Sequence, residues 1–262
     1  MAGRGQFPLL FARAARENGV RVYAVAYDGE TDPGLADLAE EVAWVEIGRL
    51  GDMFRFFKAH DVGQAVMAGG MTKTDMFGRF RPDEMFLSVM ERVGDMNDDH
   101  LLRALAEEFE KEGVVIKPAT IFTPRLFASE GVLTVRGPGP EEMADIEFGW
   151  RVAKSLGELD IGQCVVVRGL TVLALEAIEG TDEAIRRGGR LGREKAVVVK
   201  VSKPDQDMRF DVPSVGPETV AVMAEVKASV LALEADRTLL FDREEMIAAA
   251  DRAGIAIVGR RG

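Results

Sequence analysis

Cysteine, histidine and long apolar runs are the scarce features of this chain. Its 262 residues include one cysteine and two histidines. A single cysteine excludes an internal disulfide framework and favours a reducing compartment, so we expect a cytoplasmic protein. The sequence holds no run of the ~20 apolar residues that a membrane-spanning helix needs, and we expect no secretory signal. The histidines lie outside any CxxC or HExxH pattern, so we expect no zinc site.

Positive charge is in short supply as well. Lysine and arginine number 33 against 44 aspartate and glutamate residues, which gives a net charge of −11. Nucleic-acid binding depends on clustered lysine and arginine, so we expect no nucleic-acid partner. The chain also lacks the GxxxxGK[ST] and GxSxG patterns, which excludes the commonest nucleotide triphosphatases and serine hydrolases.

The first half of the sequence alternates short β-branched runs with helical patterns. Strands are predicted over residues 20–27, 42–47 and 64–68, and helices over residues 8–18 and 52–60. This alternation is typical of a parallel, doubly wound sheet whose two faces are covered by helices.

The sequence changes character near residue 128. The run GVLTVRGPGPEE contains two Gly-Pro pairs, which are strong loop signals. We therefore predict an N-terminal domain over residues 1–128, a linker over residues 129–140 and a C-terminal α/β domain over residues 141–262. In this second domain, helices alternate with predicted strands at residues 163–169, 171–178, 196–201, 230–235 and 255–259.

Two glycine-rich segments are candidates for binding a phosphate. GRGQFP opens a predicted helix, where backbone N–H groups suit an anion, and its candidate residues are Gly3 and Gly5. AGGMTK follows a predicted strand at the edge where doubly wound sheets bind ligands. Its candidate residues are Gly69, Gly70, Met71, Thr72 and Lys73. A tight turn and a flexible loop remain the structural alternatives.

Carboxylates gather after an apolar strand in the segment EAIEGTDEAI. Asp182 could simply cap the helix that follows. Carboxylates at the end of an apolar strand, as at Glu176 and Glu179, rarely lack a role. We therefore take Glu176, Glu179, Gly180, Thr181 and Asp182 as candidate substrate-binding residues.

The segment KPDQDMRFDVP concentrates polar groups of both signs between two prolines. Asp207 and Asp211 are suited to bind Mg²⁺ or to activate water, because hard cations prefer carboxylate oxygens. Lys203 and Arg209, together with Lys200 just before the segment, could neutralise phosphate charge. A salt-bridged turn is the alternative interpretation.

The segments GRGQFP, AGGMTK, EAIEGTDEAI and KPDQDMRFDVPSVGP, in this order, resemble the UDP-2,3-diacylglucosamine pyrophosphatases of the LpxI type, from bacterial lipid A synthesis. The resemblance covers nearly the whole chain. It implies a Rossmann-like N-terminal domain with a parallel sheet, a C-terminal α/β domain, substrate in the interdomain cleft, and a homodimer. Members of the family normally open with an apolar strand before the glycine turn, so here the first strand is expected to be missing.

The resemblance also implies a reaction and a set of residues. The family hydrolyses UDP-2,3-diacylglucosamine to UMP and 2,3-diacylglucosamine 1-phosphate (lipid X) with Mg²⁺ support, and water attacks the sugar-side phosphorus. Asp207 would be the essential carboxylate, with Asp211 second, as water-directing or metal-binding groups. Lys203 and Arg209 would complete the catalytic set. Substrate would be held by the residues already named in the glycine and EAIEGTDEAI segments, with Lys200 and Gln206.

A lipid substrate requires apolar surroundings for its acyl chains. The segment MFGRFRPDEMF, residues 76–86, is hard to explain as core and predicts an amphipathic segment near a lipid. We therefore expect transient contact with the cytosolic face of the inner membrane. Two other functions stay open: a non-catalytic nucleotide-sugar binding protein and, with less support, an NAD(P)-dependent oxidoreductase.

Overall fold

Two structural units make up the chain in the computed structural model, which describes residues 1–70, 80–94, 98–210 and 212–262, without the side chains of residues 98 and 99. Unit 1 comprises Met1–Pro124 and Asp207–Asp211. Unit 2 comprises Arg125–Gln206 and Val212–Gly262. A short segment from the second half of the sequence therefore belongs structurally with the first half.

Unit 1 is built from helices and short parallel strands, as the alternating pattern predicts. Its helices are α1 (Phe7–Glu17), α2 (Leu50–Ala59), α3 (Glu84–Val93) and α4 (Asp98–Lys111). Its strands are β1 (Tyr23–Tyr27), β2 (Glu41–Val45), β3 (Gln64–Ala65) and β4 (Val115–Ile116). Strand β1 pairs in parallel with β2, and β3 pairs in parallel with β4.

The first residues of the chain lie between these two strand pairs. Ala2 forms parallel bridges with Ala26 of β1 and with Ala68, three residues after β3. Its N–H donates to the Val25 carbonyl oxygen at 2.8 Å, and the Ala68 N–H donates to the Met1 carbonyl oxygen at 3.0 Å. Ala2 therefore joins the two strand pairs in the described part of unit 1.

Helix α2 shows how the core of unit 1 forms. Its buried residues, Leu50, Met53, Phe54 and Phe57, fall at the three- and four-residue spacing that places side chains on one helix face. Phe54 packs edge-on against Phe109 of α4, with ring centroids 4.7 Å apart.

The same core corrects one expectation about residues 76–86. Phe86 of α3 is only 8% exposed and belongs to the core, and Phe80 packs against its ring at 5.2 Å. The expectation that this segment is not core is therefore wrong for Phe86. It is the third residue of α3, and its side chain faces the core. Residues 76–79 lie outside the described residues.

Unit 2 contains a mixed sheet of six strands in the order β5, β12, β10, β8, β6, β7. These are β5 (Gly131–Val132), β6 (Cys164–Arg168), β7 (Thr171–Leu175), β8 (Val197–Lys200), β10 (Val230–Glu234) and β12 (Ala256–Arg260). Strands β8, β10 and β12 are parallel, whereas β5, β6 and β7 pair antiparallel with their neighbours. A separate pair joins β9 (Ser214–Val215) to β11 (Leu239–Leu240).

Helices α5 (Pro140–Glu158), α6 (Thr181–Gly192), α7 (Pro217–Glu225) and α8 (Arg243–Ala253) complete unit 2. Val198 and Leu231 belong to one core cluster, and Val197 and Val199 to another, which reflects the two faces of the sheet. Cys164 is fully buried, so its thiol belongs to the core, and this burial raises the pKa of the thiol. The stretch 129–140, expected as a linker, contributes β5 and the first residue of α5. No helix in the described ranges is both long enough and apolar enough to cross a membrane.

Helix α6 is longer than the sequence indicates. The sequence pattern predicts a helix over residues 182–187 only, and consecutive glycines such as Gly188 and Gly189 usually break a helix. The helix instead continues to Gly192. A Cβ at Gly188 would lie 2.6 Å from the Val166 Cβ. Gly188 therefore lets the helix pack directly on β6, and Gly189, whose Cβ would lie 2.4 Å from the Val226 Cβ, lets it pack against the end of α7.

Candidate active site

The two glycine segments lie side by side in unit 1. The Gly3 N–H donates to the Ala68 carbonyl oxygen at 2.8 Å, and the Arg4 N–H donates to the Gly70 carbonyl oxygen at 2.7 Å. A Cβ at Gly69 would lie 2.6 Å from the Arg4 carbonyl oxygen. A side chain at Gly3 or Gly69 would prevent this approach, whereas a Cβ at Gly70 would meet nothing within 4 Å. The structure thus brings together Gly3, Gly69 and Gly70, the candidates for binding a phosphate.

We call the two segments, residues 3–5 and 69–70, the glycine pair. Residues 3–5 lie directly before the N-terminus of α1. Gln6 is the N-cap residue and makes no side-chain hydrogen bond to the helix. Gly5, just before it, has φ 91°, a left-handed conformation that favours glycine. The positive end of a helix with an uncapped first turn suits a phosphate. Met71, Thr72 and Lys73 lie outside the described residues.

Sequence reasoning missed the acidic partner of this turn. The Arg4 guanidinium contacts the Glu30 carboxylate at 3.0 Å, and the Glu30 side chain is only 3% exposed. Beside it, the buried Thr31 hydroxyl donates to the Ala2 carbonyl oxygen. The signal was the turn DGET directly after a predicted strand, because strand ends are where polar site residues collect.

In unit 2, a buried chain of hydrogen bonds links three candidate residues. The Lys200 ammonium at the end of β8 donates to the Thr181 hydroxyl at 2.9 Å and to the Ser214 carbonyl oxygen at 2.9 Å. The Thr181 hydroxyl donates to the Glu176 carboxylate at 2.6 Å. The other Glu176 oxygen accepts from the Gln163 N–H at 3.1 Å. Lys200 is 6% exposed and Glu176 is 7% exposed. Because both are buried and the Thr181 hydroxyl lies between them, their side chains are held in place.

The neighbouring carboxylates differ in their environments. Helix α6 begins after Gly180, which is its N-cap, so the expectation that Asp182 caps the helix is wrong. Asp182 is half-buried, and this burial raises the pKa of its carboxyl despite the nearby Lys200 and Arg186. Glu179 is paired with Arg187. Hydrogen bonds from its own backbone N–H and from Arg187 lower the pKa of the Glu179 carboxyl.

The loop after β8 is held by an ion pair that sequence reasoning missed. The Lys154 ammonium of α5 contacts the two Glu234 carboxylate oxygens at 2.8 and 2.7 Å and donates to the Ser202 carbonyl oxygen at 3.0 Å. The Ser202 N–H donates back to Glu234 at 2.7 Å. Glu234 ends the buried strand β10, and a carboxylate in so apolar a run is the signal that could have identified it.

Within this loop, the candidate residues Lys203 and Gln206 brace one another. The Gln206 side-chain oxygen accepts from the Lys203 N–H at 2.9 Å and from the Ser202 hydroxyl at 3.1 Å. The Lys203 ammonium pairs with Asp160. Gln206 therefore shapes the loop through its oxygen, while Lys203 carries a partly exposed charge at its edge.

Asp207 and Arg209 belong with unit 1, although they follow this loop directly. The Arg209 side chain donates to both Asp207 oxygens, at 2.8 to 3.2 Å, and Arg103 of α4 lies 3.7 Å from Asp207. The hydrogen bonds from Arg209 lower the pKa of the Asp207 carboxyl, and the charge of Arg103 adds to this effect. Phe210 packs on the core of unit 1, which explains why the segment groups there. Asp211 lies outside the described residues.

The described residues do not form a set of protein ligands for magnesium. Among them, no three histidine, cysteine or acidic side chains come together as a metal site would require. Both oxygens of Asp207 accept from Arg209, and two guanidinium groups near one carboxylate disfavour a further cation. The suggestion that Asp207 and Asp211 bind the metal therefore gains no support from Asp207.

Comparison with known proteins finds relatives of both halves of the chain. The family model described as the LpxI N-terminal domain matches residues 1–126, and the model described as the LpxI C-terminal domain matches residues 129–258. The UDP-2,3-diacylglucosamine pyrophosphatase LpxI of Caulobacter vibrioides is 35% identical over 270 residues, which span 99% of this chain and 95% of the relative. The similarity thus includes every segment described above.

Proposed function

Because the chain belongs to the LpxI family, we propose that it hydrolyses the pyrophosphate bond of UDP-2,3-diacylglucosamine, giving UMP and 2,3-diacylglucosamine 1-phosphate in lipid A synthesis. One observation carries the proposal: the 35% identity, over 99% of the chain, to a relative named for this substrate. The arrangement of anion-binding groups in both units supports it.

The proposed reaction needs positive charge and an oriented water. Water oxygen bonds to the sugar-side phosphorus, the bond from that phosphorus to the bridging oxygen breaks, and the bridging oxygen leaves with UMP. Charge develops on phosphate oxygens during this step, so fixed cations and N–H donors lower its barrier. The chain offers both kinds of group on rigid supports.

We assign the nucleotide phosphate to the glycine pair in unit 1. Gly3, Gly5, Gly69 and Gly70 allow a phosphate to approach the backbone, and the uncapped start of α1 favours its charge. In unit 2 we assign phosphate charge to Lys200, which Glu176 and Thr181 orient, and to Lys203 at the edge of its loop. Burial keeps Lys200 in one position, which is the preorganisation that such catalysis uses.

Asp207 and Arg209 form the remaining part of the proposed catalytic set. The lowered pKa of Asp207 keeps this carboxyl ionised at neutral pH, so it can accept a hydrogen bond from the attacking water. It also holds the Arg209 guanidinium in a two-point contact, which presents a planar donor to phosphate oxygens. Magnesium enters the proposal as a counter-ion of the diphosphate, without a protein ligand set.

The experiment is an assay of UMP release from UDP-2,3-diacylglucosamine with Mg²⁺. Asp207→Asn keeps the size of the side chain and removes its charge, so we expect UMP release to fall at least ~100-fold. Asp205→Asn is the matched control, because this exposed aspartate lies two residues away, and it should keep nearly full activity. Equal activity of the Asp207→Asn variant would remove Asp207 from the mechanism.

The alternatives give different outcomes in the same assay. Substrate binding without UMP release would indicate a nucleotide-sugar binding protein, and binding of a nicotinamide cofactor would indicate an oxidoreductase. We also propose a homodimer that contacts the membrane transiently. Sedimentation at assay concentrations and flotation with anionic vesicles test these two points separately from catalysis.

A further inference from the structure

An open cavity of about 810 Å³ lies in unit 2, at the edge of the sheet where the parallel strands begin. Lys195 precedes β8, Lys227 precedes β10 and Gly254 precedes β12, and all three residues line the cavity. We call it the amino-edge cavity. Lys200 and Glu234 stand at the opposite ends of β8 and β10, and the four residues of β8 span about 10 Å. The amino-edge cavity is therefore separate from Lys200 and the loop after β8.

Two lysines of the amino-edge cavity have no carboxylate to neutralise them. Lys195 and Lys227 are exposed, and neither forms an ion pair with any of the described residues. The Lys195 N–H donates to the Lys227 carbonyl oxygen at 2.7 Å, so the two side chains start from adjacent stretches of backbone. Two ammonium groups on neighbouring loops are suited to bind the oxygens of one anion.

The backbone at both lysines favours glycine. The φ angle is 56° at Lys195 and 55° at Lys227, in the left-handed region that residues with a Cβ rarely adopt. The corresponding loop before β12 has Gly254 with φ 68°. Glycine at either lysine would relieve the strain, so local backbone geometry does not explain why lysine stands there. The charged side chain is what glycine would not supply.

The N-terminus of α5 and a buried hydroxyl also line the amino-edge cavity. The N-cap residue Gly139 has no side chain to accept from the N–H groups of the first turn, and helix N-termini attract anions. Ser229 is 9% exposed. Its hydroxyl lies beside Glu142 but forms no hydrogen bond of normal length and angle with the described residues. A phosphate oxygen would supply the acceptor that this hydroxyl lacks.

The two carboxylates that line the amino-edge cavity differ in their partners. Glu142 accepts from the Arg136 guanidinium and from the Gly139 N–H, so its charge is compensated. Glu141 is exposed and forms no ion pair with the described residues. It repels an anion, but the two lysines outnumber it. Removal of the Glu141 charge should therefore strengthen the binding of an anion.

We propose that the amino-edge cavity binds a phosphate group in its dianionic form, carried by a small soluble molecule or by a lipid headgroup. A terminal phosphate group offers three acceptor oxygens. Two ammonium groups, the first-turn N–H groups of α5 and the Ser229 hydroxyl approach the cavity from different elements, and a tetrahedral group with three oxygens can use more of them than a planar carboxylate can. The proposal adds a second anion site to unit 2, on the edge of the sheet opposite Lys200.

The test is a titration of the full chain with inorganic phosphate at pH 8, followed by NMR of the backbone amides of Glu141, Glu142 and Ser229. We expect saturable shifts of these resonances. Replacing both lysines, Lys195→Gly and Lys227→Gly, should weaken this binding at least ~10-fold. The double variant should not lower the melting temperature, because glycine suits both backbone conformations.

Arg193→Gly is the matched control for the lysine replacements. Arg193 has φ 65° and lies two residues before Lys195, but it does not line the amino-edge cavity. The control therefore removes one positive charge and one left-handed side chain, and the phosphate affinity should stay within ~2-fold of the parent chain. Glu141→Gln is an independent second variant, which should tighten the binding about 2-fold or more.

Vesicles distinguish the two sources of the phosphate group. Cosedimentation with phosphatidic acid vesicles, but not with phosphatidylcholine vesicles, would assign the phosphate to a lipid headgroup if the double lysine variant loses it. Saturable binding of inorganic phosphate without cosedimentation would assign it to a soluble molecule. Either result supports the site.

Three results would overturn the proposal. They are the absence of saturable shifts at Glu141, Glu142 and Ser229, equal phosphate affinity of the double lysine variant and the parent chain, and shifts confined to the surroundings of Lys200 and Ser214. The last result would mean that phosphate binds at the candidate active site alone. Because UMP release is not a readout, each result is independent of the proposed enzymatic function.

Discussion

The sheets of the two units differ in how their strands are joined. In unit 2, six strands form one ladder, and the central strands β8 and β10 are buried along their whole length. In the described part of unit 1, the pairs β1–β2 and β3–β4 are joined by the bridges of Ala2. The polar residues of unit 2 therefore stand on a continuous sheet, whereas the glycine pair of unit 1 depends on the first few residues of the chain.

This difference teaches that the two groups of residues to which we assign phosphate binding have unequal structural support. Lys200 and the loop after β8 are fixed by buried charge pairs and by the ladder itself. The glycine pair is fixed by backbone hydrogen bonds of Ala2, Gly3 and Arg4. We therefore expect that the stability of unit 2 falls strongly only when a buried charge is removed. The stability of unit 1 should depend on pH and should fall when a glycine is replaced by alanine.

The largest expected effect is in unit 2. Glu234→Ala leaves the Lys154 ammonium partly buried without its carboxylate, and breaking such a pair costs about 3–5 kcal/mol. We expect this loss of unfolding free energy in urea denaturation. Asp236→Ala is the control, because its pair with Arg261 is largely exposed and should cost under about 1 kcal/mol. Similar losses for both variants would mean that the ion pair does not hold the loop.

The next effect is a pH dependence specific to unit 1. The Met1 amine has a pKa of about 5 in the folded chain against 8.0 as its ordinary value. The unfolded chain binds more protons between these values, so stability falls as the pH drops from 8 to 5. The full difference is at most about 4 kcal/mol. Comparing the free and N-acetylated chains by denaturation at pH 5 and pH 8 isolates the amine, and identical pH profiles would contradict the burial.

Gly69→Ala tests how closely the glycine segments approach. Gly69 has φ 89°, and its new Cβ would lie 2.6 Å from the Arg4 carbonyl oxygen. Strain and displacement should cost about 2–3 kcal/mol and weaken UMP binding measured by calorimetry. Gly63→Ala is the control, because this exposed glycine lies outside the two glycine segments and nothing lies within 4 Å of its Cβ. If both variants bind UMP as the parent chain does, the glycine pair is not the nucleotide site.

The smallest effect concerns Asp207. Its lowered pKa means that its ion pairs stabilise the fold above the unfolded pKa and are lost as the pH falls through the folded pKa. Asp207→Asn should therefore cost about 1 kcal/mol or less at pH 7, and the difference should vanish at strongly acidic pH. A constant difference at all pH values would show that the carboxylate acts through packing rather than charge.

Much of the fold could be predicted from the sequence, because periodicity reports burial directly. The runs that gave β1, β6, β8, β10 and β12 are β-branched or apolar, and the structure confirms strands there. The two-residue strands β5, β9 and β11 carry no such signal, because so short a strand has no period. The predicted end of α6 was wrong, because a glycine that allows close helix packing cannot be told from a glycine that breaks a helix in a sequence.

The candidate site could be predicted in part. The glycine content led to a phosphate site at Gly3 and Gly69, and the carboxylate after β7 led to substrate binding at Glu176; both stay predictions. The structure shows that Gly3 lies against Gly69 and that Glu176 belongs to a buried chain of hydrogen bonds. The boundary that assigns Gln206 to unit 2 and Asp207 to unit 1 could not be predicted, because it depends on which core Phe210 packs against. The ion pair of Lys154 and Glu234 joins residues 80 apart in sequence. The apolar run around Glu234 could have marked this carboxylate, but the sequence does not indicate Lys154 as its partner.

The central claim is that water breaks the diphosphate bridge of UDP-2,3-diacylglucosamine. Phosphorus-31 NMR of this substrate with the full chain and Mg²⁺ in ¹⁸O-labelled water tests it most directly. We predict that the two diphosphate resonances are replaced by those of UMP and of a sugar 1-phosphate, with the ¹⁸O shift on the sugar phosphate. Unchanged diphosphate resonances after prolonged incubation, with the substrate bound, would contradict the account.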